Sequence, residues 1–173
     1  SIDYPVVQGN DDSYYLTHTF KKAEHVAGAI FLDSDNNADF SDDKNIIYGH
    51  NMKDGSMFRG LRNFLDDEFL KEHHILYLYL PDEGVWIFVI VKCEYTPADG
   101  DAFLLGTQEE VPTLLLSTCG TDTSKRLVVW CERQEENGEQ IEYSDEETEV
   151  QEATDDLAFL DGEFVENETH DFI

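Results

Sequence analysis

Positive charge is what this sequence has least of: 11 Lys and Arg stand against 39 Asp and Glu in 173 residues, a formal net charge of −28. A field of that sign repels phosphate backbones and anionic membrane surfaces. It argues against a nucleic-acid role and leaves cationic partners or substrates open. Cysteine is scarce as well. Cys93, Cys119 and Cys131 make an odd number, with no CxxC and no Cys/His pair at zinc-finger spacing, so neither a disulfide scaffold nor a metal site is expected. Cys93 could still bridge Cys131 if their strands are neighbours, which spacing leaves open. No apolar run reaches 18 residues, so nothing here is expected to span a membrane. An initiator Met and a signal peptide are lacking too, and the chain opens directly on Ile2-Asp3-Tyr4-Pro5, which reads as a segment of a longer protein.

What remains is a folding composition, 40% hydrophobic and 12% aromatic, long enough for one domain with its own core. The charge divides it. Residues 134–173 hold 16 Asp or Glu and no Lys or Arg, which leaves 23 acidic and 11 basic residues in 1–133, a net of −12. The reading is therefore a globular body over 1–133 and an acidic tail over 134–173 with the composition of a disordered segment.

Along the body, Pro5 to Gln8 reads as a short strand start. Asp11, Asp12 and Ser13 offer caps for a helical turn through Tyr14, Tyr15 and Leu16. Val26 to Leu32 is an apolar run of strand length. Asp33 to Asp43 is a polar loop whose alternating Asp33, Asp35, Asn37 and Asp39 imitate a calcium loop, but Ala38 and Lys44 occupy the places that need Gly and Glu, so a solvated turn is expected. Asn45 to His50 reads as a strand ending on a histidine. Met57, Phe58, Leu61, Phe64 and Leu65 then follow helical spacing, and Asp66 caps a second short helix with Phe69 and Leu70. Ile75 to Leu80 and Val85 to Glu94 form a hairpin pair, Thr96 to Pro112 a loop, and Thr113 to Thr118 and Arg126 to Trp130 two more strands. About seven strand candidates without βα alternation predict a mainly β fold, a barrel or closely related all-β architecture with short inserted helices.

Three residues on this map suit one chemistry. Cys119 ends one strand and Arg126 begins the next; a thiol beside a loop is accessible, and a nearby guanidinium favours its thiolate. The alternative is an ordinary buried core cysteine. Histidine can hold a thiolate and later protonate a leaving amine, which makes His50 the candidate partner, against its reading as a hydrogen-bonded surface residue. Arg126 supplies a fixed positive donor for a tetrahedral oxyanion, or else pairs with one of the many carboxylates. His73 and His74 at a helix end, and His18, His25 and His170, show no ligand spacing.

Three segments then carry a resemblance. IDYPVVQ at Ile2 to Gln8, NIIYGHNMKDGSMF at Asn45 to Phe58, and LSTCG followed by SKRLVV up to Val129 are together similar to the class B sortases, over essentially all of 1–133. The resemblance implies a closed sortase-type β-barrel and a cysteine transpeptidase of the extracellular face of a Gram-positive membrane. Cys119 would form a thioacyl intermediate with a sorting signal, His50 would serve as general acid and then base, and Arg126 would hold the oxyanion. Leu116, Ser117, Thr118 and Asn51 would contact substrate. No cofactor is implied, and the partners would be surface proteins bearing a sorting signal and a cell-wall or pilin amine as acceptor. The family's membrane anchor and first strand have no counterpart in the chain. Leu115 replaces a Thr of the usual Thr-Leu-x-Thr-Cys, and the connection from Val91 to Thr113 is shorter than the family's helix-bearing loop. Two alternatives follow: a cysteine peptidase hydrolysing the same intermediate, or a weakened sortase-like domain acting as an interaction module.

Overall fold

The computed structural model describes residues 2–81, 84–119 and 124–134, with Cys119 described through its backbone; the acidic tail, from residue 135 on, lies outside them. The described chain is mainly β. Seven strands, β1 (Val6–Gln8), β2 (Ile30–Leu32), β3 (Lys44–Tyr48), β4 (Ile75–Leu80), β5 (Gly84–Pro97), β6 (Thr113–Cys119) and β7 (Lys125–Arg133), form one sheet in the order β1-β2-β3-β6-β7-β5-β4. Where the sequence predicts a closed barrel, the described residues form a single seven-stranded sheet with a few short helical segments.

β6 lies at the centre, parallel to β3 and antiparallel to β7. Its run of leucines follows from that place, because a strand covered on both faces needs apolar side chains at successive positions. Leu114 and Leu116 enter the main core with Ile47, Phe58, Leu61, Phe88 and Val129. Leu115 turns the other way, against Ile46 and Val128, where Phe103, Leu105 and Trp130 cover it. A third cluster of Val7, Tyr15, Ala29 and Phe31 packs beside Tyr48.

Several expectations shift. The run from Val26 becomes a strand only at Ile30, because Gly28 takes φ +60° and its N–H bonds to the His25 carbonyl, while Val26 is exposed. A β-carbon on Gly28 would collide with the Tyr15 carbonyl oxygen, so glycine is required at this turn. β3 stops at Tyr48, two residues before His50. The stripe read as a helix is a 3-10 segment, Phe58–Leu65, and Met57 precedes it at φ +56°. Asp66 does cap the next helix, α1 (Asp67–Glu72), accepting from the N–H groups of Glu68 and Phe69. β5 and β7 both run past their expected ends, since pairing along Phe88 to Pro97 extends each beyond its apolar run. Cys93 pairs in register with Val129 and not with Cys131, and both cysteines are free thiols.

Candidate active site

The pairing that centres β6 also assembles the three candidate residues. Tyr48 of β3 lies in register with Ser117, and the N–H of Gly49 donates to the Ser117 carbonyl at 3.1 Å. His50 is two residues past Tyr48, and Cys119 is two residues past Ser117. Cys119 pairs directly with Arg126 across β6 and β7. Backbone register therefore brings His50, Cys119 and Arg126 to the same level of the sheet, at the C-terminal ends of β3 and β6 and the start of β7.

Local contacts fix each approach. Gly49 has no room for a side chain, because a β-carbon would overlap Phe58 and Ile30, so the chain passes close beneath the 3-10 segment before releasing His50. The His50 carbonyl accepts from the Phe58 N–H at 2.9 Å, which anchors that turn. His50 itself is half-buried, and its Nε2 lies 2.7 Å from the Leu16 carbonyl oxygen. A carbonyl can only accept, so Nε2 carries a proton, and Nδ1 is the atom left to take one up. Arg126 is half-buried and donates from Nη1 to the Lys125 carbonyl at 3.3 Å.

The other predicted residues separate. Ser117 and Thr118 are buried, and their hydroxyl oxygens have no hydrogen-bond partner among the described residues, an arrangement that normally demands a reason. Leu116 is packed in the main core. Asn51 accepts from Arg59 Nη1 at 3.1 Å and bridges in register to Met57, holding the loop that follows His50.

The neighbourhood adds residues that sequence reasoning did not set apart. Tyr48 donates its hydroxyl to Asp33 Oδ2 at 2.8 Å, and Leu16 supplies the carbonyl under His50. Tyr48 was visible inside the YGHNM run, but Asp33 stood only in a loop weighed for calcium. Burial, the hydrogen bond to Asp33 and the carboxylates of Asp33 and Asp12 keep the Tyr48 phenol well above its ordinary value, with the Arg126 cation pulling the other way. Burial pushes the Cys93 thiol up to about 12 and raises that of Cys131 as well. Among the described residues no group of His, Cys, Asp and Glu is arranged to hold a metal ion.

A protein-family model described as Sortase domain matches residues 1–134. The chain is 54% identical over 72 residues to sortase B of Listeria monocytogenes, a stretch covering 42% of this chain and 29% of that protein. A second sortase B, from Staphylococcus aureus, is 34% identical over 76 residues and 31% of its length is covered. The chain thus spans about a third of the length of the curated relatives it matches. Among solved structures it is similar to Listeria monocytogenes sortase B, with TM-score 0.62 and 32% identity over 75% of this chain and 86% of that one. It is likewise similar to a Streptococcus pyogenes class B sortase involved in pilus biogenesis, with TM-score 0.69 and 26% identity over 77% and 86%.

Proposed function

Because this chain belongs to the sortase domain family, and its relatives are class B members, we propose that it is a cysteine transpeptidase acting through a thioacyl intermediate. The observation that carries the reading is the register that levels His50, Cys119 and Arg126. The Cys119 sulfur attacks the carbonyl carbon of a sorting-signal threonine; the C–N bond breaks, and His50 gives its Nδ1 proton to the departing amine. Arg126 holds the oxyanion that forms in between. An incoming amine then gives a proton to Nδ1 as it displaces the thiolate, and an amide is released.

Ser117 and Asn51 are proposed to touch the sorting signal, Ser117 through a hydroxyl that has no hydrogen-bond partner among the described residues. Leu116 and Thr118 act in this reading by fixing the strand that carries Cys119. Closure of the sheet into the family's barrel, a cell-wall or pilin amine as acceptor, and a place at the extracellular face of a Gram-positive membrane belong to the same proposal. Among the described residues no helix is long and apolar enough to cross a membrane.

The test is incubation with a panel of sorting-motif peptides, with and without an amine acceptor, followed by mass spectrometry of enzyme and products. A thioacyl adduct on the wild type that is absent in Cys119→Ala, with amide product when amine is supplied, is expected. Hydrolysis that amine never diverts would make the protein a peptidase. No adduct with any peptide would leave an interaction module.

A further inference from the structure

His50 separates two flanks of the proposed site. In the sheet order β2-β3-β6-β7, Cys119 and Arg126 lie on one side of it, on β6 and β7, and the chain that leads into β2 lies on the other. That chain touches His50 directly, because the Leu16 carbonyl oxygen is 2.7 Å from Nε2. From Leu16 it runs out and back as a short arm. The His25 N–H donates to the Thr17 carbonyl at 2.8 Å, His18 bridges Glu24 in antiparallel register, and the Thr19 N–H closes the turn on the Ala23 carbonyl at 2.8 Å. The base of the arm is fixed by Gly28, where a β-carbon would collide with the Tyr15 carbonyl oxygen, and by the Ala29 N–H, which donates to that carbonyl at 2.9 Å.

On this arm Thr17, Glu24, His25 and Val26 line an open hollow of about 330 Å³, which begins one residue past the carbonyl that holds His50. Its imidazole is neutral, because Nδ1 of His25 accepts the Ala27 N–H at 3.1 Å and so carries no proton. Lys21 and Lys22 belong to the turn inside the Thr19–Ala23 pair and are not part of the lining. Glu24 is thus the only formal charge lining the hollow among the described residues, and Val26, 77% exposed, offers an uncovered aliphatic surface beside it. Of the two reactants, the acceptor is the one that arrives charged: a primary amine is an ammonium at neutral pH, whereas the scissile amide of a sorting signal is neutral. The acceptor must also come to His50, since its proton passes to Nδ1.

We propose that this hollow is the entry subsite for the primary amine that accepts the acyl group: the Glu24 carboxylate draws the ammonium to the β2 flank of His50, and Val26 covers its carbon stem. This rests on the transpeptidase reading above. The ammonium then loses one proton to water, its nitrogen attacks the thioester carbonyl carbon, the C–S bond breaks, and the second proton goes to His50 Nδ1 as the Cys119 thiolate is restored. Because Glu24 acts before the first proton is lost, its effect belongs to the acceptor KM and not to kcat.

The sorting-motif peptide that gives a thioester is used with two acceptors, triglycine amide and N-acetyl-lysine amide, on the wild type, Glu24→Lys, Val26→Lys and Glu72→Lys, with melting temperature measured for each. Glu72 is exposed at the end of α1, which leads into the edge strand β4, and its replacement changes the net charge by the same amount. Glu24→Lys is expected to raise the KM of the better acceptor about tenfold at about 20 mM salt and about threefold at about 300 mM, with kcat within about twofold. Thioester formation, measured without acceptor, should keep its dependence on sorting-peptide concentration, and Glu72→Lys should leave both steps at wild-type values. Val26→Lys should raise the acceptor KM in the same way and carries the test if Glu24→Lys fails to fold. An unchanged acceptor KM, or an equal rise in Glu72→Lys, would overturn the proposal. So would impaired thioester formation with the acceptor KM unchanged, which would give the hollow to the departing segment of the sorting signal. No thioester on the wild type, or one that neither amine diverts from hydrolysis, would instead overturn the transpeptidase reading itself.

Discussion

Nε2 of His50 is tied to the Leu16 carbonyl at 2.7 Å, which leaves the two ring nitrogens different work in the proposed reaction: one holds the imidazole in place and the other would exchange the proton. His50→Gln keeps a side chain able to bond Leu16 but has no atom that gains and loses a proton near neutrality. Transpeptidation should fall at least about a hundredfold while circular dichroism is unchanged. A drop of less than about threefold would remove His50 from the chemistry. The cysteines offer a second residue-scale test. Cys93 at about 12 and the buried Cys131 lie above their ordinary value, so both remain protonated at pH 8, and the thiolate is the form that alkylates. Iodoacetamide at pH 8 should give the folded protein a single adduct, mapped by peptide sequencing to Cys119; equal labelling of Cys93 would show that the burial is not maintained in solution.

At the scale of elements, the loop from 98 to 112 is held to the sheet by Lys44, whose Nζ lies 2.8 Å from Glu109 Oε1 and 3.3 Å from the Leu104 carbonyl. Lys44 is 6% exposed, so removing its partner strands a buried charge, whereas Glu109 keeps 28% exposure and part of the pair is screened. Glu109→Gln should cost about 1–2 kcal/mol in urea unfolding at neutral pH, less than a fully buried pair. Hydrogen bonds from Lys44 and Thr107 hold the Glu109 carboxyl below its ordinary 4.5. Its contribution is therefore present above pH 4.5 and lost as pH falls through the lower folded value, and the gap between wild type and variant should close on acidification. A gap that widens instead would invert the assignment. Gly28→Ala, with its β-carbon against the Tyr15 carbonyl, should cost more than about 2 kcal/mol in the same assay.

These same elements show what sequence carries. The hairpin of β4 and β5, and the leucine run of β6, were legible because each is a local pattern bounded by turn residues. The start of β2 was not, since the apolar character of Val26 to Ala29 says nothing of the positive φ at Gly28. Cys119, His50 and Arg126 were legible as types and through family motifs, but their common level depends on the parallel pairing of β3 with β6, which no short-range pattern encodes. The Asp33–Tyr48 bond joins residues 15 apart, one just past the end of β2 and one at the end of β3, and only the register of β2 with β3 discloses it.

At the scale of the whole molecule, charge is the property that stands out. Removing residues 134–173 would take the formal charge from −28 to −12, because that stretch carries 16 acidic and no basic side chains. If a cationic amine is the acceptor, its capture is aided by that field and is screened by salt. The KM for a lysine-bearing acceptor peptide should rise between about 20 and 300 mM salt, and rise less steeply in the shortened chain; identical slopes would deny the segment any part in attraction. The central place of β6 has a consequence of a different kind. Its two neighbours are the strand before His50 and the strand whose second residue is Arg126, so the proposed site needs segments 69 residues apart, from 50 to 119, to meet. Such long-range parallel pairing has high contact order and closes slowly. A nascent chain that ends before residue 113 leaves β3 with an unpaired edge, so the proposed site can assemble only after the central strand has been inserted.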